Sequence, residues 1–344
     1  VTVTAARGNV RPTEKEIIKR IRDRCPTGSD QLVRGIGDDC AVIRRGPDLV
    51  ELVTTDTLVS GVHFDPAWHP PELLGRKAAA VNLSDIAAMG GRPRYAFLSL
   101  GLPSDFEPEW LNSLMTGFLA RLEECGAILA GGDTVSSPKG AVLSVTILGE
   151  APADRVLLRS GAAAGDLILV SGLLGEAAAG LELCRGGYYE KDAATWHPLR
   201  KAHLDPDPEL ELGAVLAGSG MVSAMMDLSD GLATDLAHLC RESGVGAEVE
   251  AAALPLSELL RQAAGLLNCD ACRWGLTGGE DYRLLLTVPE DRQTELTGLV
   301  RRELARELYP VGRITAAPGV FLVDRHGRRE ITDTGYDHFR ADGL

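Results

Sequence analysis

Four aspartate-rich clusters punctuate this chain, each beside Gly, Ser or Thr and none near a grouping of Cys or His. They read Gly35-Ile36-Gly37-Asp38-Asp39, Thr54-Thr55-Asp56, Gly131-Gly132-Asp133-Thr134 and Met226-Asp227-Leu228-Ser229-Asp230-Gly231. A fifth acidic element, Gly278-Gly279-Glu280-Asp281, is of the same kind. Carboxylates set beside hydroxyls and bare backbone, without soft ligands, suit a hard divalent cation such as Mg²⁺. That ion commonly completes its shell with substrate phosphates, so the pattern points to phosphoryl chemistry. The clusters fall where predicted strands end and helices begin, and both halves of the chain read as mixed α/β.

Length and charge narrow the field. At 344 residues the chain can build two domains, each with its own core. Hydrophobic residues, at 45 %, are normal for a globular protein, while aromatics at 5 % leave close helix packing to the abundant Ala and Gly. The formal charge of −14 disfavours nucleic acid as a partner, since that affinity rests on Lys and Arg at phosphates. Phosphorylated small molecules stay compatible, because a bound divalent cation reverses the local field. No apolar run reaches the roughly 18 residues of a spanning helix, and residues 1–11 lack the apolar stretch of a secretory signal. Seven scattered cysteines, an odd number, fit a reduced, cytoplasmic setting away from the membrane. Cys269-Asp270-Ala271-Cys272 is a single CxxC without the second pair that structural zinc needs, and buried or incidental cysteines are the simpler reading.

Thr13-x-x-Glu16 forms a capping box ahead of Ile17, Ile18 and Ile21, so a helix starts there. Strands are expected at 41–43, 51–56 and 94–102. A helix is expected over 70–89, where Leu73, Leu74, Lys77, Ala78, Val81 and Asp85 recur at three- and four-residue spacing. A second helix over 110–125 leads to a brief buried strand at 128–130, ending on the Gly131-Gly132-Asp133 turn, and then to a strand over 141–149. Pro, several Gly and a change of charge between 151 and 165 place a boundary near 150, giving expected domains 1–150 and 151–344. Beyond it, strands are expected at 166–171, 223–227, 281–288 and 309–314, with helices at 176–184, 208–216 and 232–243. Residues 185–204 carry little pattern.

Asp85 stands among Val81, Leu83, Ile86, Ala87, Ala88 and Met89, so its helix face is partly buried and its carboxylate needs a partner. A salt bridge to Lys77 or Arg92 competes with a metal ion, and the company of other carboxylates favours metal. Gly35-x-Gly37-Asp38-Asp39 lacks the third glycine of a dinucleotide fingerprint, and no Walker A sequence occurs, so an ATP site must rest on another fold. Asp227-x-Ser229-Asp230-Gly231 precedes a helix whose first N–H groups can meet an anion, although Ser229 or Asp230 can equally act as its cap. His63 and His69, six apart in a Pro-containing loop, do not make zinc geometry; a histidine at a substrate phosphate or at the surface is simpler. Arg159 is suited to bidentate phosphate contact, with plain exposure as the alternative. Without a Gly-x-Ser-x-Gly elbow, no Ser/His/Asp triad is expected.

Taken in order, the motifs resemble those of the thiamine-monophosphate kinases, within the aminoimidazole-ribonucleotide-synthetase-like superfamily. The match runs from Gly35-Ile36-Gly37-Asp38-Asp39-Cys40 through Thr54-Thr55-Asp56-Thr57-Leu58, Gly61-Val62-His63-Phe64 and Asn82-Leu83-Ser84-Asp85-Ile86-Ala87-Ala88-Met89-Gly90. It continues through Gly131-Gly132-Asp133-Thr134, Asp227-Leu228-Ser229-Asp230-Gly231-Leu232 and Leu276-Thr277-Gly278-Gly279-Glu280-Asp281-Tyr282, and ends on Gly335-Tyr336-Asp337-His338-Phe339. It spans residues 14–340. Met225-Met226 and residues 185–204 depart from the family pattern, and neither is expected to touch a ligand.

The resemblance implies a two-domain α/β (α+β) architecture of the PurM-like kind. Its N-terminal mixed-sheet domain dimerises and binds ATP and Mg²⁺, and its C-terminal α/β domain folds over to complete the nucleotide and substrate site. It further implies transfer of the γ-phosphate of ATP to thiamine monophosphate, giving thiamine diphosphate, in a cytoplasmic homodimer. By motif position, Asp39, Thr54, Thr55, Asp56, Asp85, Asp133, Asp227 and Asp230 would hold several Mg²⁺ ions. Gly132, Asp133, Arg159 and Ser229 would contact ATP, and His63, Glu280 and Tyr336 would contact thiamine monophosphate. No general base is required, because the acceptor oxygen is already ionised. Two other readings compete: another ATP-using superfamily member, of ribonucleotide amide ligase or selenophosphate synthetase type, and a non-catalytic Mg-nucleotide-binding regulatory module. Cys25, before Pro26, lacks the glycine-rich loop that a selenophosphate synthetase nucleophile would want.

Overall fold

Thr13 caps the first helix as its sequence predicts. Its hydroxyl accepts from the Glu16 backbone, the Glu16 carboxylate accepts from the Thr13 N–H, and α1 (Glu14–Arg22) follows. The computed structural model describes residues 12–25, 29–188 and 193–331. Tyr336 and its motif lie outside the described residues.

The first half continues with β1 (Leu32–Arg34), β2 (Ala41–Arg44), β3 (Leu49–Val59), α2 (Pro71–Ala88), β4 (Arg92–Leu102), α3 (Pro108–Glu124), β5 (Ile128–Ser136) and β6 (Val142–Pro152). Its strands form one sheet in the order β1-β2-β3-β6-β4-β5, antiparallel except for the β4–β5 pair. Leu52, Leu83, Ile86, Phe118 and Ile147 fill the space between this sheet and the α2–α3 pair. The two helices approach so closely that a Cβ on Gly75 would lie 2.0 Å from the Leu114 carbonyl oxygen, and one on Gly117 would lie 1.8 Å from that of Glu72. Small residues are what this packing uses.

β5 differs from the brief buried strand expected at 128–130. It runs on through Gly131-Gly132-Asp133-Thr134 and pairs with β4 alone, as the sheet edge; Ile128 is 65 % exposed. Nothing among the described residues covers its outer side, so the apolar start of this segment is not a sign of burial.

The second half comprises β7 (Leu167–Val170), α4 (Glu176–Arg185), α5 (Ala193–Leu204), α6 (Leu210–Ser219), β8 (Ala224–Asp227), α7 (Leu232–Ser243), β9 (Gly246–Glu250), α8 (Glu258–Leu267), α9 (Ala271–Thr277), β10 (Leu284–Val288), α10 (Gln293–Leu304), β11 (Tyr309–Thr315), β12 (Gly319–Asp324) and β13 (Gly327–Glu330). The seven strands are ordered β13-β12-β9-β11-β7-β10-β8, with only β9 and β12 parallel. β7, β8 and β10 are nearly unbroken apolar runs because both faces of the sheet are covered: Leu232, Leu236 and Leu239 of α7 pack on one side, Leu212, Leu216 and Val300 of α6 and α10 on the other.

α2 joins the halves. Its sequence is apolar nearly all round, and a helix of that kind must be enclosed. Its middle packs on the first sheet and α3, while Ala87 and Ala88 at its end join Leu169, Leu212, Leu216 and Met225 of the second half. Whatever α2 carries is therefore placed between the two sheets.

Candidate active site

Three of the acidic clusters converge beside α2. β3 presents Thr54 and Asp56 on the face turned toward the helix, Asp85 lies near the helix end, Asp227 ends β8, and Asp39 precedes β2. Asp39, Asp85 and Asp227 each bring one carboxylate oxygen to within 4.8 Å of the others. The Thr54 hydroxyl donates to Asp85, the Ser84 hydroxyl donates to Asp227 at 2.6 Å, and the Asp56 N–H donates to Asn82 at 3.0 Å.

Gathering carboxylates out of water raises their affinity for protons. Burial, then the Asp39 charge, pushes Asp227 up to about 7 and Asp56 up to about 6. Asp85 rises well above the usual range through burial and the charges of Asp56, Asp227 and Asp39, which Thr54 only partly offsets. Burial also raises Asp39, against the pull of Arg159. Arg159 reaches one oxygen of Asp39 through Nε at 3.1 Å and a terminal nitrogen at 2.6 Å. The other oxygen, Oδ2, is buried with no hydrogen-bond partner. A close set of hard oxygen donors, one of them orphaned, fits a divalent cation bound by Asp39, Asp85 and Asp227. Asp85 meets neither Lys77 nor Arg92 in an ion pair, so its salt-bridge reading falls away.

Two of the three carboxylates, Asp85 and Asp227, line a cleft of about 950 Å³. Asp56, Asp85, Asp227, Ser229 and Asp230 reach into it, as do His63 and Glu280. His63 accepts from the Val59 N–H through Nδ1 at 3.0 Å. His69 is turned away and buried, with Nε2 3.2 Å from the Leu204 carbonyl, so the two histidines form no joint site. Neither Ser229 nor Asp230 caps α7. Instead Asp235 accepts from the N–H groups of Asp230 at 3.1 Å and Gly231 at 3.0 Å, which fixes the turn that carries both.

Some sequence-predicted positions are placed elsewhere. Thr55 points to the opposite face of β3 from Thr54, donating to the Val145 carbonyl at 3.1 Å and accepting from Thr146 at 3.0 Å. Gly132 and Asp133 lie on exposed β5, outside the cleft lining. A Cβ on Gly132 would stand 1.8 Å from the Leu98 carbonyl oxygen, so the β4–β5 approach alone demands glycine there. Asp281 accepts from the N–H groups of Gly175 at 2.6 Å and Ala177 at 3.3 Å, holding the start of α4.

Two residues that sequence reasoning gave no site role stand behind Glu280. Lys77 of α2, fully buried, lies 2.7 Å from Glu280 Oε1, and His203 of α5 lies 2.9 Å from Oε2. Burial alone would raise the Glu280 carboxyl, but Lys77 and His203 hold it well below the usual carboxylate range. Glu280 sits at φ +68° and Tyr282 at +47°, left-handed backbone that is unusual away from glycine. Hydrogen bonds from their N–H groups to the carbonyls of Ser229 at 2.8 Å and Leu228 at 2.9 Å pin this loop to the Asp227 turn.

Two mixed sheets sharing a carboxylate-lined cleft define a class. Residues 37–151 match the AIR synthase related protein, N-terminal domain, and residues 163–325 match the AIR synthase related protein, C-terminal domain. Within that class, the chain belongs to the thiamine-monophosphate kinase family. It is 38 % identical to the thiamine-monophosphate kinases of Salmonella typhimurium and Escherichia coli K12, in each case over 95 % of this chain and 98 % of the relative. Among solved structures it is similar to AaThiL complexed with AMPPCP and TMP, with a TM-score of 0.83 and 32 % identity over 95 % of this chain and 97 % of that one. The thiamine-monophosphate kinase of Stenotrophomonas maltophilia superposes with a TM-score of 0.74 at 38 % identity, over 89 % of this chain and 95 % of that one.

Proposed function

We propose that the chain transfers the γ-phosphate of ATP to thiamine monophosphate, giving thiamine diphosphate and ADP, with Mg²⁺ as the resident ion. The observation that carries this reading is the Asp39–Asp85–Asp227 set with its orphaned oxygen, two of whose members, Asp85 and Asp227, line a cleft whose wall presents an ionised Glu280. Kinases of this family supply the acceptor and donor: a similar structure holds TMP together with an ATP analogue.

Asp39, Asp85 and Asp227, joined by Asp56, Asp230 and the Thr54 hydroxyl, would hold the ions; Thr55, on the opposite face of β3, and Asp133, on exposed β5, stand outside that set. When bound, Mg²⁺ supplies charge neutralisation between two polyanions and orients the transferred group. The protein's own residues do the rest. Arg159 and Ser229 would position ATP, while His63, Glu280 and Tyr336 would hold thiamine monophosphate. The attacking phosphate oxygen carries its own negative charge, so alignment rather than proton removal limits the reaction.

In this reading residues 1–150 bind ATP and Mg²⁺ and make the dimer, and residues 151–344 complete the site. Edge strand β5, with Ile128 and Val135 exposed beside Tyr95 and Phe97 of β4, is the surface suited to a second copy. Among the described residues no helix is long and apolar enough to cross a membrane, and a cytoplasmic homodimer is the setting proposed.

Incubation with ATP, Mg²⁺ and thiamine monophosphate, followed by chromatography, tests the function. Thiamine diphosphate formed only when all three are present is the expected result. ATP consumed without that product would redirect the site to another acceptor, and no turnover at all would make it a nucleotide-binding module.

A further inference from the structure

Lys77 and Asp85 share one face of α2, with Val81 between them, and Val81 and Asp85 both border the cleft. Eight residues of helix separate the two by about 12 Å along the axis. One end of this span belongs to the metal-binding carboxylates. The other meets Glu280, which reaches it from the loop after α9, while His203 closes in from α5. Lys77 is in the first half of the chain and both partners are in the second, so the contact bridges the two halves.

A buried Lys–Glu pair is a poor way to gain stability, because desolvation cancels most of the attraction. Glu280 also departs from ordinary backbone, at φ +68°, to reach this position. Its two oxygens are each approached by a different partner, Oε1 by Lys77 and Oε2 by His203, and the carboxylate still borders the cleft. Each oxygen retains a lone pair for a further donor.

We propose that Lys77 and His203 are positioning residues that fix Glu280 as a rigid anionic acceptor for the hydrogen-bond-donating end of the phosphate acceptor, one helix span from the phosphoryl-transfer centre. This rests on the thiamine monophosphate reading above, whose aminopyrimidine carries such a donor. Binding energy collected at Glu280 sets where the acceptor phosphate falls relative to Asp85. A carboxylate loosened from Lys77 would still be present but would no longer define that distance.

Steady-state kinetics and thermal midpoints of the full-length wild type, Lys77→Met, His203→Leu, His203→Asn and the double variant Lys77→Met/Glu280→Gln test the proposal. Lys77→Met is expected to raise KM for thiamine monophosphate about tenfold or more and to lower kcat with it, because the acceptor phosphate is no longer held at its distance from Asp85, while KM for ATP stays unchanged. His203→Leu should act in the same direction. His203→Asn, whose amide nitrogen can take the place of Nδ1, should return most of the loss. The double variant leaves no orphaned charge, so it should recover thermal stability while keeping the high KM. If Lys77→Met does not fold, the double variant and the His203 pair decide. A wild-type KM for thiamine monophosphate in the double variant, or in His203→Leu, would overturn the proposal and leave these residues as a tie between the two halves. Failure of the wild type itself to form thiamine diphosphate would sink the functional reading instead, and this proposal with it.

Discussion

Arg159 binds one oxygen of Asp39 twice and leaves the other buried without a partner. The arginine thus compensates the Asp39 charge, while Asp85 and Asp227 each bring a carboxylate oxygen within 4.8 Å of an Asp39 oxygen. Breaking a buried pair by removing one member strands the other charge, at a cost of about 3–5 kcal/mol. Arg159→Met should therefore lower the thermal midpoint sharply in EDTA. The loss should shrink in saturating Mg²⁺ and ATP, which offer Asp39 a different counter-charge. Differential scanning calorimetry under both conditions decides. An equal loss in each would mean that Arg159 stabilises the fold by some route other than Asp39.

Asp85 is held among like charges, with only the Thr54 hydroxyl as a direct donor. Asp85→Asn keeps the shape and removes one of the repelling charges. The metal-free variant should be at least as stable as the wild type, while kcat falls by about a hundredfold or more, on the scale of other lost transition-state charge contacts. Rate measurements at saturating ATP and thiamine monophosphate, with melting curves on the same samples, check both halves. Near-normal turnover would remove Asp85 from the site.

Much of this arrangement was legible in the sequence, for local reasons. The Thr13–Glu16 capping box, the helical spacing along α2 and the strand-to-helix step at Asp227–Leu232 depend on near neighbours, and each sits where its pattern placed it. The start of β5 reads as buried in the sequence because an apolar start looks the same at a sheet edge as in its middle; only the missing neighbouring strand tells them apart. In the sequence Lys77 and Arg92 are the cations at hand for Asp85. The actual partner of Lys77 is Glu280, some two hundred positions away, and periodicity carries no information about such pairings. His203 lies in residues 185–204, whose weak pattern was taken to be remote from any ligand. Residues Ala193–Leu204 of that stretch form α5, with Pro198 inside the helix, and deliver a histidine to Glu280. A signal for Asp235 was present and unused: an acidic residue in the first turn of a helix is placed to meet the orphan N–H groups there.

Gly117 tests how far the site depends on the helix pair beneath it. A side chain there would press into the Glu72 carbonyl, a backbone atom that cannot rotate away. Gly117→Ala must push α3 off α2, at a cost of about 1–3 kcal/mol in urea unfolding. Because α2 carries both Lys77 and Asp85, activity should fall as well, even at temperatures where the variant is fully folded. Wild-type stability would show that the helices have slack that this packing does not suggest.

The carboxylate cluster also fixes how stability varies with pH. Asp227 titrates at about 7 in the folded protein, and Asp38 and Asp56 at about 6, all raised first by burial and then by the neighbouring Asp39 charge. In the unfolded chain each returns to about 3.9. Between those values the folded state holds protons that the unfolded state has released. By linkage, stability is then fully present below about pH 4 for these groups and is lost as pH rises through 6 and 7. Buried His69 and His203, both held below the ordinary histidine range first by burial, act the other way up to about pH 6.5, where the unfolded chain still binds their protons, so the prediction concerns the slope between about pH 6.5 and 7.5. In EDTA the thermal midpoint should decline across that window. With Mg²⁺ and ATP present the decline should flatten or reverse, since ligands of a divalent cation must be deprotonated to bind it. A midpoint that rises with pH in EDTA, or that ignores Mg²⁺ and nucleotide at pH 7.5, would mean that these carboxylates are neither strained by one another nor relieved by a cation.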